Sequence, residues 1–380
     1  MADRTPVSRR RFLATGAVAA IGFPLINRGT FAFAAAPQRT YSARAVTLVR
    51  ETLVIDMLAP LSLNLEPTVF ERPFTDAQKA DFRASGITGF HNSFGFGGFN
   101  AKEEGFEYLA GWQGFIGAQA DLFTLVRVAA DLDAAKAAGK CAVIMGIQNA
   151  DQFQTPADVA EFYRLGLRCA QLTYNTQNFI GSGSTERVDG GVSDFGAEII
   201  VAMNKAGMLI DVSHSGDRTT LDAIAISPVP IAITHSNCRS ITPHPRTKTD
   251  EAIRKLAARG GVMGITAVRN FVRDRDPTTV AHMVDHIDHV VKLAGIEHVG
   301  VGSDADLNGY DDMDPKQYAQ LKAAYKSSYA FRGKLDIDGF DHPRKFYDLT
   351  EELIRRGYSD GNIRLILGGN FRRLLGVTWH

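Results

Sequence analysis

Cysteine is scarce in this chain, and its arrangement excludes several kinds of site. Among 380 residues there are only three cysteines, Cys141, Cys169 and Cys238, and no two have CxxC spacing. An odd number cannot form a complete disulfide framework, and without CxxC spacing the usual signal for a cysteine metal site or a dithiol redox motif is missing. We therefore expect three buried free thiols.

The chain also lacks an excess of either charge. It contains 42 Lys and Arg residues and 42 Asp and Glu residues, so its formal net charge is zero. Proteins that bind nucleic acid or anionic membrane surfaces usually carry a basic excess, so neither partner is expected. With 45% hydrophobic residues over 380 positions, the composition is that of a globular protein with a single large core.

Long apolar runs are missing except near the N-terminus. There, consecutive arginines in Ser8–Leu13 precede an apolar run, Leu13–Ile26, and small residues follow at Phe33–Ala36. Glycines and a proline interrupt the run, which is too short to span a bilayer comfortably. We interpret residues 1–36 as a twin-arginine export signal with no stable membrane anchor, and we expect a periplasmic or secreted protein.

After residue 36, short apolar segments alternate with helical patterns to the end of the chain. This alternation favours one (β/α)₈ barrel domain over residues 37–380, with additional C-terminal helices. An open doubly wound sheet is the runner-up, but no glycine-rich phosphate motif follows the first strand. No strand is expected in the helical region Ala101–Gly139. The eight predicted strands are Thr52–Met57, Ile87–His91, Cys141–Gln148, Arg168–Tyr174, Met208–Ile210, Val229–Ile233, Val262–Thr266 and Val299–Gly302.

Two successive predicted strands are each followed by a histidine. His214 follows the run that ends at Ile210, and His235 follows the run that ends at Ile233. A barrel places its active site at the C-terminal ends of its strands, where the last predicted strand also leads to Asp304. Two imidazoles and a carboxylate are a common catalytic zinc set that leaves one position for water.

Other polar residues at predicted strand ends are also candidates for the site. They are His91, Gln148, Tyr174 and Asn175. Three further histidines, His282, His286 and His289, lie on a long predicted helix away from the strand ends. Their HxxxH spacing lacks the glutamate of an HExxH motif, so a structural role is the better interpretation.

Four segments resemble the membrane dipeptidase family, also called renal dipeptidase-like or peptidase family M19. They are DFGAEIIVAMNKAGMLIDVSHSGDRT (194–219), PIAITHSNCRSITPHPRTKTDEAIRKLAARGGVMGI (230–265), VDHIDHVVKLAGIEHVGVGSDADLNG (284–309) and RRGYSDGNIRLILGGNFRRLLG (355–376). The resemblance implies a (β/α)₈ metallohydrolase with two bridged zinc ions that cleaves dipeptides. It also implies that His214 and His235 bind metal and that Asp304 is both a ligand and the proton carrier. Arg246 matches the arginine that positions the substrate.

The sequence departs from that family pattern at four positions. Leu58 and Pro60 stand where the family has the His and Asp of the first strand. Gln148 replaces the glutamate that bridges the two metals, and Tyr174 replaces a substrate-positioning histidine. Paired cations about 4 Å apart need a bridging anion, which a neutral amide does not supply. We therefore expect an altered site with a single zinc or other divalent ion, or none, on His214 and His235 with Gln148 or Asp304.

Three functional hypotheses remain open on the sequence alone. The first is a single-metal hydrolase of a dipeptide or related amide, with Arg246 and Asn175 among the residues that bind the substrate and Asp304 moving the proton. The second is a lyase, isomerase or other hydrolase of a small carboxylate on the same scaffold, with Tyr174 as acid and His91 as base. The third is a catalytically silent binding protein. A homodimer is compatible with each.

Overall fold

The computed structural model of the chain describes residues 39–61, 72–95, 97–310 and 315–379. The predicted export signal, residues 1–36, lies outside the described residues. Within them, no helix combines the length and the hydrophobicity that a membrane crossing requires.

The centre of the protein is a closed barrel of parallel strands. Hydrogen-bonded neighbours follow the order β2-β1-β9-β8-β7-β6-β5-β4, and a pairing between β2 and β4 closes the ring. This closure confirms the predicted (β/α)₈ barrel and excludes the open sheet. A further strand, β3, pairs with β4 outside the ring. The strands are β1 Ile55–Asp56, β2 Gly89–Phe94, β3 Phe123–Leu125, β4 Cys141–Ile147, β5 Leu167–Gln171, β6 Leu209–Asp211, β7 Ala232–Ser236, β8 Val262–Ile265 and β9 Val299–Val301.

The strand β3 corrects the prediction that residues 101–139 are wholly helical. It is only three residues long, and so short an apolar run shows no period that distinguishes a strand from a helix. Packing decides its conformation, because the buried Phe123 ring lies edge-on against Phe82 at 5.1 Å between centroids. Phe123 also contacts Phe90 of β2, with centroids 6.1 Å apart.

Helices surround the barrel and cover its outer face. Thr155 begins one of them with a capping box, which confirms its predicted role as N-cap. The helices are α1 Ala43–Glu51, α2 Asp76–Ser85, α3 Ala101–Gly117, α4 Ala130–Ala137, α5 Pro156–Arg164, α6 Asp194–Ala206, α7 Asp217–Ile226, α8 Asp250–Ala258, α9 Arg269–Val272, α10 Val280–Ala294, α11 Pro315–Ala324, α12 Lys345–Arg355, α13 Asp360–Arg364 and α14 Asn370–Thr378.

The last predicted helix, Ile363–Leu375, is interrupted in the structure. A π-helical segment, Leu365–Gly369, separates α13 from α14. Gly368 lies so close to the first strand that a Cβ there would be 2.0 Å from the Leu53 carbonyl oxygen. The close approach lets the C-terminal helices pack against the barrel, because any larger residue would push the two segments apart.

All three cysteines are buried and free. Cys141 begins β4 and Cys169 lies in β5, so both thiols belong to the strands of the barrel. Burial raises the pKa of Cys141 to about 12, which keeps this thiol protonated and unreactive. The expectation of three free thiols is confirmed.

Candidate active site

Two histidines face each other at the C-terminal end of the barrel. His214 lies three residues beyond the end of β6, and His235 lies in the neighbouring strand β7. Their Nε2 atoms are 3.0 Å apart, and both side chains are buried. Two imidazole nitrogens on one tetrahedral zinc ion, each bonded at about 2.0–2.1 Å, lie about 3.3 Å apart. The structure thus brings the two histidines together at a spacing close to that of metal ligands.

The other ring nitrogen of each histidine is already engaged. His214 Nδ1 donates to Asn175 Oδ1 at 2.7 Å. Thr234 Oγ1 donates to Asp211 Oδ2 at 2.6 Å, so the same hydroxyl oxygen accepts from His235 Nδ1 at 2.8 Å. Fixing the Nδ1–H in this way leaves an unprotonated lone pair on each Nε2, as in metal-binding histidines with outer hydrogen-bond partners.

Both imidazoles are held in their neutral form. Burial, together with the nearby cations Arg246 and Lys248, lowers the pKa of His214 and of His235 well below the usual range. A proton shared between the two Nε2 atoms is therefore disfavoured, and two lone pairs facing each other at 3.0 Å repel. A metal ion would relieve that repulsion by accepting both.

A small cavity opens above the histidine pair. Its volume is about 60 Å³, and its lining includes His214, Gln148, Asp304 and Pro60. The Tyr174 ring stacks on the His214 ring with centroids 4.2 Å apart and planes 18° apart. The remaining walls are mainly aromatic and come largely from the segment after β9: Phe271, Tyr310, Tyr325, Tyr329 and Phe331.

Arg246 is a buried cation beside this cavity. Its guanidinium donates to the carbonyl oxygens of Ser213 and His235, the latter at 3.3 Å. Its Nε has no hydrogen-bond partner among the described residues, and its side chain lies over the Phe271 ring at 5.4 Å. A buried guanidinium with a free N–H suits the carboxylate of a ligand, since charge-assisted pairs are strongest away from water.

Asp304 lines the same cavity in a conformation unusual for a residue with a side chain. Its φ is 61°, and its backbone N–H donates to the Leu58 carbonyl at 2.8 Å. Burial, opposed by Arg246 and reinforced by the carboxylates Asp56 and Asp211, raises the pKa of Asp304 to about 7. Its carboxyl group can therefore both accept and release a proton near neutral pH.

His91 lies inside the barrel and not at its C-terminal end. The sequence placed a strand end at His91, but β2 continues to Phe94, so that boundary was wrong. His91 Nδ1 donates to Met57 O at 2.8 Å, while its Nε2 has no partner in the described part of the chain. A Cβ on Gly146 would lie 1.7 Å from that Nε2, so the glycine makes room for the ring. His91 is not among the residues that line the cavity.

The family model of membrane dipeptidase, peptidase family M19, matches residues 103–326. This chain belongs to the membrane dipeptidase family. A curated relative, dipeptidase verJ of Clonostachys rogersoniana, is 32% identical over 258 residues, which cover 67% of this chain and 60% of the relative. The chain spans about 42–60% of the length of the first curated relatives.

Solved structures agree with this membership. An amidohydrolase from Pseudomonas aeruginosa is 31% identical with a TM-score of 0.76, covering 88% of this chain and 99% of that protein. A metallopeptidase from Rhodobacter sphaeroides, solved with a phosphinate mimic of the dipeptide L-Ala-D-Ala, has a TM-score of 0.68 at 19% identity. That match covers 87% of this chain and 100% of the metallopeptidase, and it shows the shared fold.

The membrane dipeptidase family is metal-dependent. The side chains at this site can therefore be examined for whether they could ligate one metal ion or a pair of ions. Leu58 is fully buried and Pro60 lines the cavity where the family pattern has metal ligands. Gln148 donates its amide nitrogen to Ser93 O at 3.1 Å, which leaves its oxygen for a ligand. In the described part of the chain, no three His, Cys, Asp or Glu side chains are grouped to hold a metal ion.

These donors do not fit a paired-metal centre. Asp304 shares the cavity with His214 but does not complete a three-donor group with the two histidines. The two facing imidazoles have the spacing of two ligands on one ion, and the Gln148 oxygen, which lines the same cavity as His214, would be a further oxygen donor.

The helical histidines have structural partners, as the sequence analysis expected. His286 accepts from the Cys238 backbone N–H at 3.1 Å and donates to Val272 O at 2.9 Å. His282 accepts from the backbone N–H of Thr279, at the N-cap of α10, at 3.1 Å. His289 pairs with Asp250 at 2.9 Å.

Sequence reasoning missed the residues that hold the histidine pair in place. Asp211 lies three residues before His214 in the motif DVSH, and Thr234 directly precedes His235 in the motif THS. Neither was predicted to belong to the site. Lys248 was also missed, although its buried ammonium donates to Val212 O and Ser215 O, both at 2.7 Å. Those two carbonyls flank His214 in the chain. The sequence feature that could have pointed to Lys248 is its position two residues after Arg246, a predicted substrate-binding residue.

Burial lowers the pKa of Lys248 to about 7, which makes its stability contribution depend on pH. Between about pH 7 and pH 10.5 the unfolded chain holds a proton on this lysine that the folded chain has released. The free energy of unfolding should therefore rise with pH in this window, by at most about 1.4 kcal/mol per unit. In Lys248→Met this increment should disappear. Urea unfolding of both proteins at pH 6, 7.5 and 9 measures it.

Lys255→Met is the matched control, because Lys255 is exposed and pairs only with Glu251 on the same helix. It should keep the pH dependence of the parent protein. Equal slopes in the parent and Lys248→Met would show that the buried ammonium does not titrate in this range.

Proposed function

We propose that this protein is a dipeptidase-like metallohydrolase that cleaves a dipeptide or a related small amide at a single metal ion. The observation that carries the proposal is the 3.0 Å approach of His214 Nε2 and His235 Nε2, with both Nδ1 atoms committed elsewhere. The named relatives are dipeptidases, metallopeptidases and an amidohydrolase, which supports hydrolysis of an amide bond.

The metal would be held by His214 and His235, with the Gln148 oxygen as a third candidate ligand. Zinc is the best match for two neutral imidazoles and an oxygen donor. Such an ion supplies Lewis acidity and lowers the pKa of a bound water.

The chain itself supplies the groups that bind the substrate and move the proton. Arg246 would hold the substrate carboxylate through its unpaired Nε. Asp304, whose pKa is about 7, would accept a proton from the attacking water and return it to the leaving amine. Asn175 fixes the His214 ring and so orients the metal site. The aromatic walls would exclude bulk water around the reacting amide.

A non-peptidase reaction on a small carboxylate is the second candidate. Its supporting observation is Tyr174, which stacks on His214 and exchanges a hydrogen bond with Tyr325 at 2.8 Å. Burial raises the pKa of Tyr174 well above its usual value, so the phenol stays protonated and can donate a hydrogen bond to a substrate. His91 is a less suitable base, since it does not line the cavity.

A catalytically silent binding protein is the third candidate. Turnover of any compound by the purified protein would exclude it.

The zinc proposal predicts that binding depends on the histidine pair. His214→Ala should reduce bound zinc well below one ion per chain and lower amidase activity by at least about 1,000-fold, because one of the two histidine ligands is lost. Elemental analysis of purified protein and assays on a panel of dipeptides measure both.

His289→Ala is the control, since that histidine pairs with Asp250 on the outside of the barrel. It should retain zinc and activity. Full zinc content in His214→Ala would contradict the proposed ligands, and a zinc-loaded parent inactive on every dipeptide and amide would favour the second candidate.

The role of Arg246 predicts a preference for substrates with a free carboxylate. The parent should cleave a dipeptide with a kcat/KM about 10–100-fold above that of the corresponding dipeptide amide, because a buried charge-assisted pair is worth about 1.5–3 kcal/mol. In Arg246→Gln this preference should shrink to a few-fold.

Circular dichroism should show that Arg246→Gln is folded, since the guanidinium also contacts two carbonyls. Arg259→Gln, an exposed arginine at the end of α8, is the control and should keep the preference. An unchanged preference in a folded Arg246→Gln protein would exclude Arg246 as the carboxylate site.

Export by the twin-arginine pathway is proposed from the sequence of residues 1–36. Replacing Arg9 and Arg10 with lysine should leave the protein in the cytoplasm of a bacterial host, whereas the parent should appear in the periplasm or the medium. Immunoblots of cell fractions measure the distribution. Export that survives the double replacement would contradict this pathway.

A further inference from the structure

A second pocket lies on the opposite face of the barrel from the histidine pair. It has a volume of about 630 Å³, within the range of small-molecule sites. Ile87 and Thr88, which precede β2, and Lys140, which precedes β4, form part of its wall. We call it the N-face pocket, because it lies at the N-terminal ends of these strands.

The N-face pocket is strongly cationic. Its lining contains Arg50, Arg83, Lys136, Lys140 and Arg344, whereas no Asp or Glu is among the lining residues of the described chain. A net charge of zero over the whole protein makes this local excess unusual. Five cations without a lining carboxylate give the pocket a positive potential, which favours binding of an anion.

Neighbouring acids neutralise only part of this charge. Arg83 pairs with Asp121 at 3.3 Å, but Asp121 is shared with Lys79 at 3.0 Å. Among the ion pairs between described residues, none involves Arg50, Lys136 or Lys140.

Among the five cations, Lys136 gives the clearest evidence of a charge that is partly removed from water. Its side chain is partly buried, and burial lowers its pKa. A lysine in a solvated surface position would keep its ammonium in water and would not be shifted in this way. The ammonium of Lys136 is therefore desolvated without compensation from a carboxylate.

The rest of the wall is apolar and aromatic. The rings of Tyr41 and Tyr347 lie 5.1 Å apart at an angle of 35°, and Phe82 and Ile87 are buried beside them. A lining that combines cationic side chains with flat apolar surface matches a ligand that has both characters. A simple inorganic anion would leave the aromatic side of a pocket of this size unfilled.

We propose that the N-face pocket binds a small organic polyanion that carries a flat apolar group, such as an aromatic phosphate or an aromatic polycarboxylate. Its anionic end would contact Lys136, Lys140 and Arg50, and its ring would lie against Tyr41, Phe82 and Tyr347. The site is separate from the histidine pair, so it does not depend on the proposed hydrolase activity.

Binding can be measured by isothermal titration calorimetry of the full chain with 1-naphthyl phosphate, inorganic phosphate and 1-naphthol as separate probes. The naphthyl phosphate should bind at least about tenfold more tightly than inorganic phosphate or 1-naphthol, since it makes both the charged and the apolar contacts. Its affinity should fall at least about tenfold between low salt and 0.5 M salt, because ion pairing is screened. Benzene-1,3,5-tricarboxylate distinguishes a carboxylate ligand from a phosphate ligand.

Lys136→Gln, and separately Arg50→Gln, should weaken naphthyl phosphate about tenfold each while leaving the hydrolytic activity of the parent unchanged. Lys255→Gln is the matched control on an exposed helix and should bind like the parent. If the loss of affinity in a single variant is too small to measure, the double variant Lys136→Gln/Lys140→Gln tests the site. Equal affinity in all variants, or no saturable binding of any aromatic anion, would overturn the proposal.

Discussion

The Asp211 carboxylate is the interaction on which the site depends. One oxygen accepts from Ser213 N at 2.9 Å, Ser213 Oγ at 2.6 Å and Thr234 N at 3.0 Å, and the other accepts from Thr234 Oγ1 at 2.6 Å. These bonds join β6 to β7 and fix the hydroxyl that receives the His235 Nδ1 proton. Because that network is buried and fully engaged, the two Nε2 atoms are held toward each other before any ligand arrives.

Around this fixed pair, the site combines retained and replaced elements of the membrane dipeptidase pattern. His214 and Asp304 line one small cavity, and His235 and Arg246 lie behind it, where His235 faces His214 and Arg246 donates to the Ser213 and His235 carbonyl oxygens. Leu58 and Pro60 offer no metal ligand on the first-strand side. Our proposal of one ion instead of two rests on the absence of first-strand donors at these two positions and on the neutral amide of Gln148, which cannot act as a bridging anion. Tyrosines and phenylalanines close the remaining sides, so charge in the cavity is concentrated on Asp304 and on the cations behind the histidines.

The sequence predicted the parts that follow from periodicity and strand order. Eight apolar segments separated by helical patterns favour a parallel barrel, and neighbouring parallel strands bring His214 and His235 to one edge. The rest depends on tertiary packing that spacing does not encode. The strand β3 exists because Phe123 packs on Phe82. The strand β2 extends past His91 because its last three residues, Asn92–Phe94, pair with Met145–Ile147 of β4. The tyrosine walls come largely from a segment after β9 whose helical pattern is visible in the sequence, but its position over the cavity follows from tertiary packing.

X-ray diffraction from crystals of the zinc-loaded protein, recorded on both sides of the zinc absorption edge, tests the single-ion site most directly. The anomalous difference map should show one peak per chain, bonded to His214 Nε2 and His235 Nε2 at about 2.0–2.1 Å, with no second peak beside Leu58 or Pro60. Two peaks bridged by Gln148 would contradict the single-ion site. A map without a peak between the two histidines, from protein crystallised in saturating zinc, would contradict the metal-binding role of the pair.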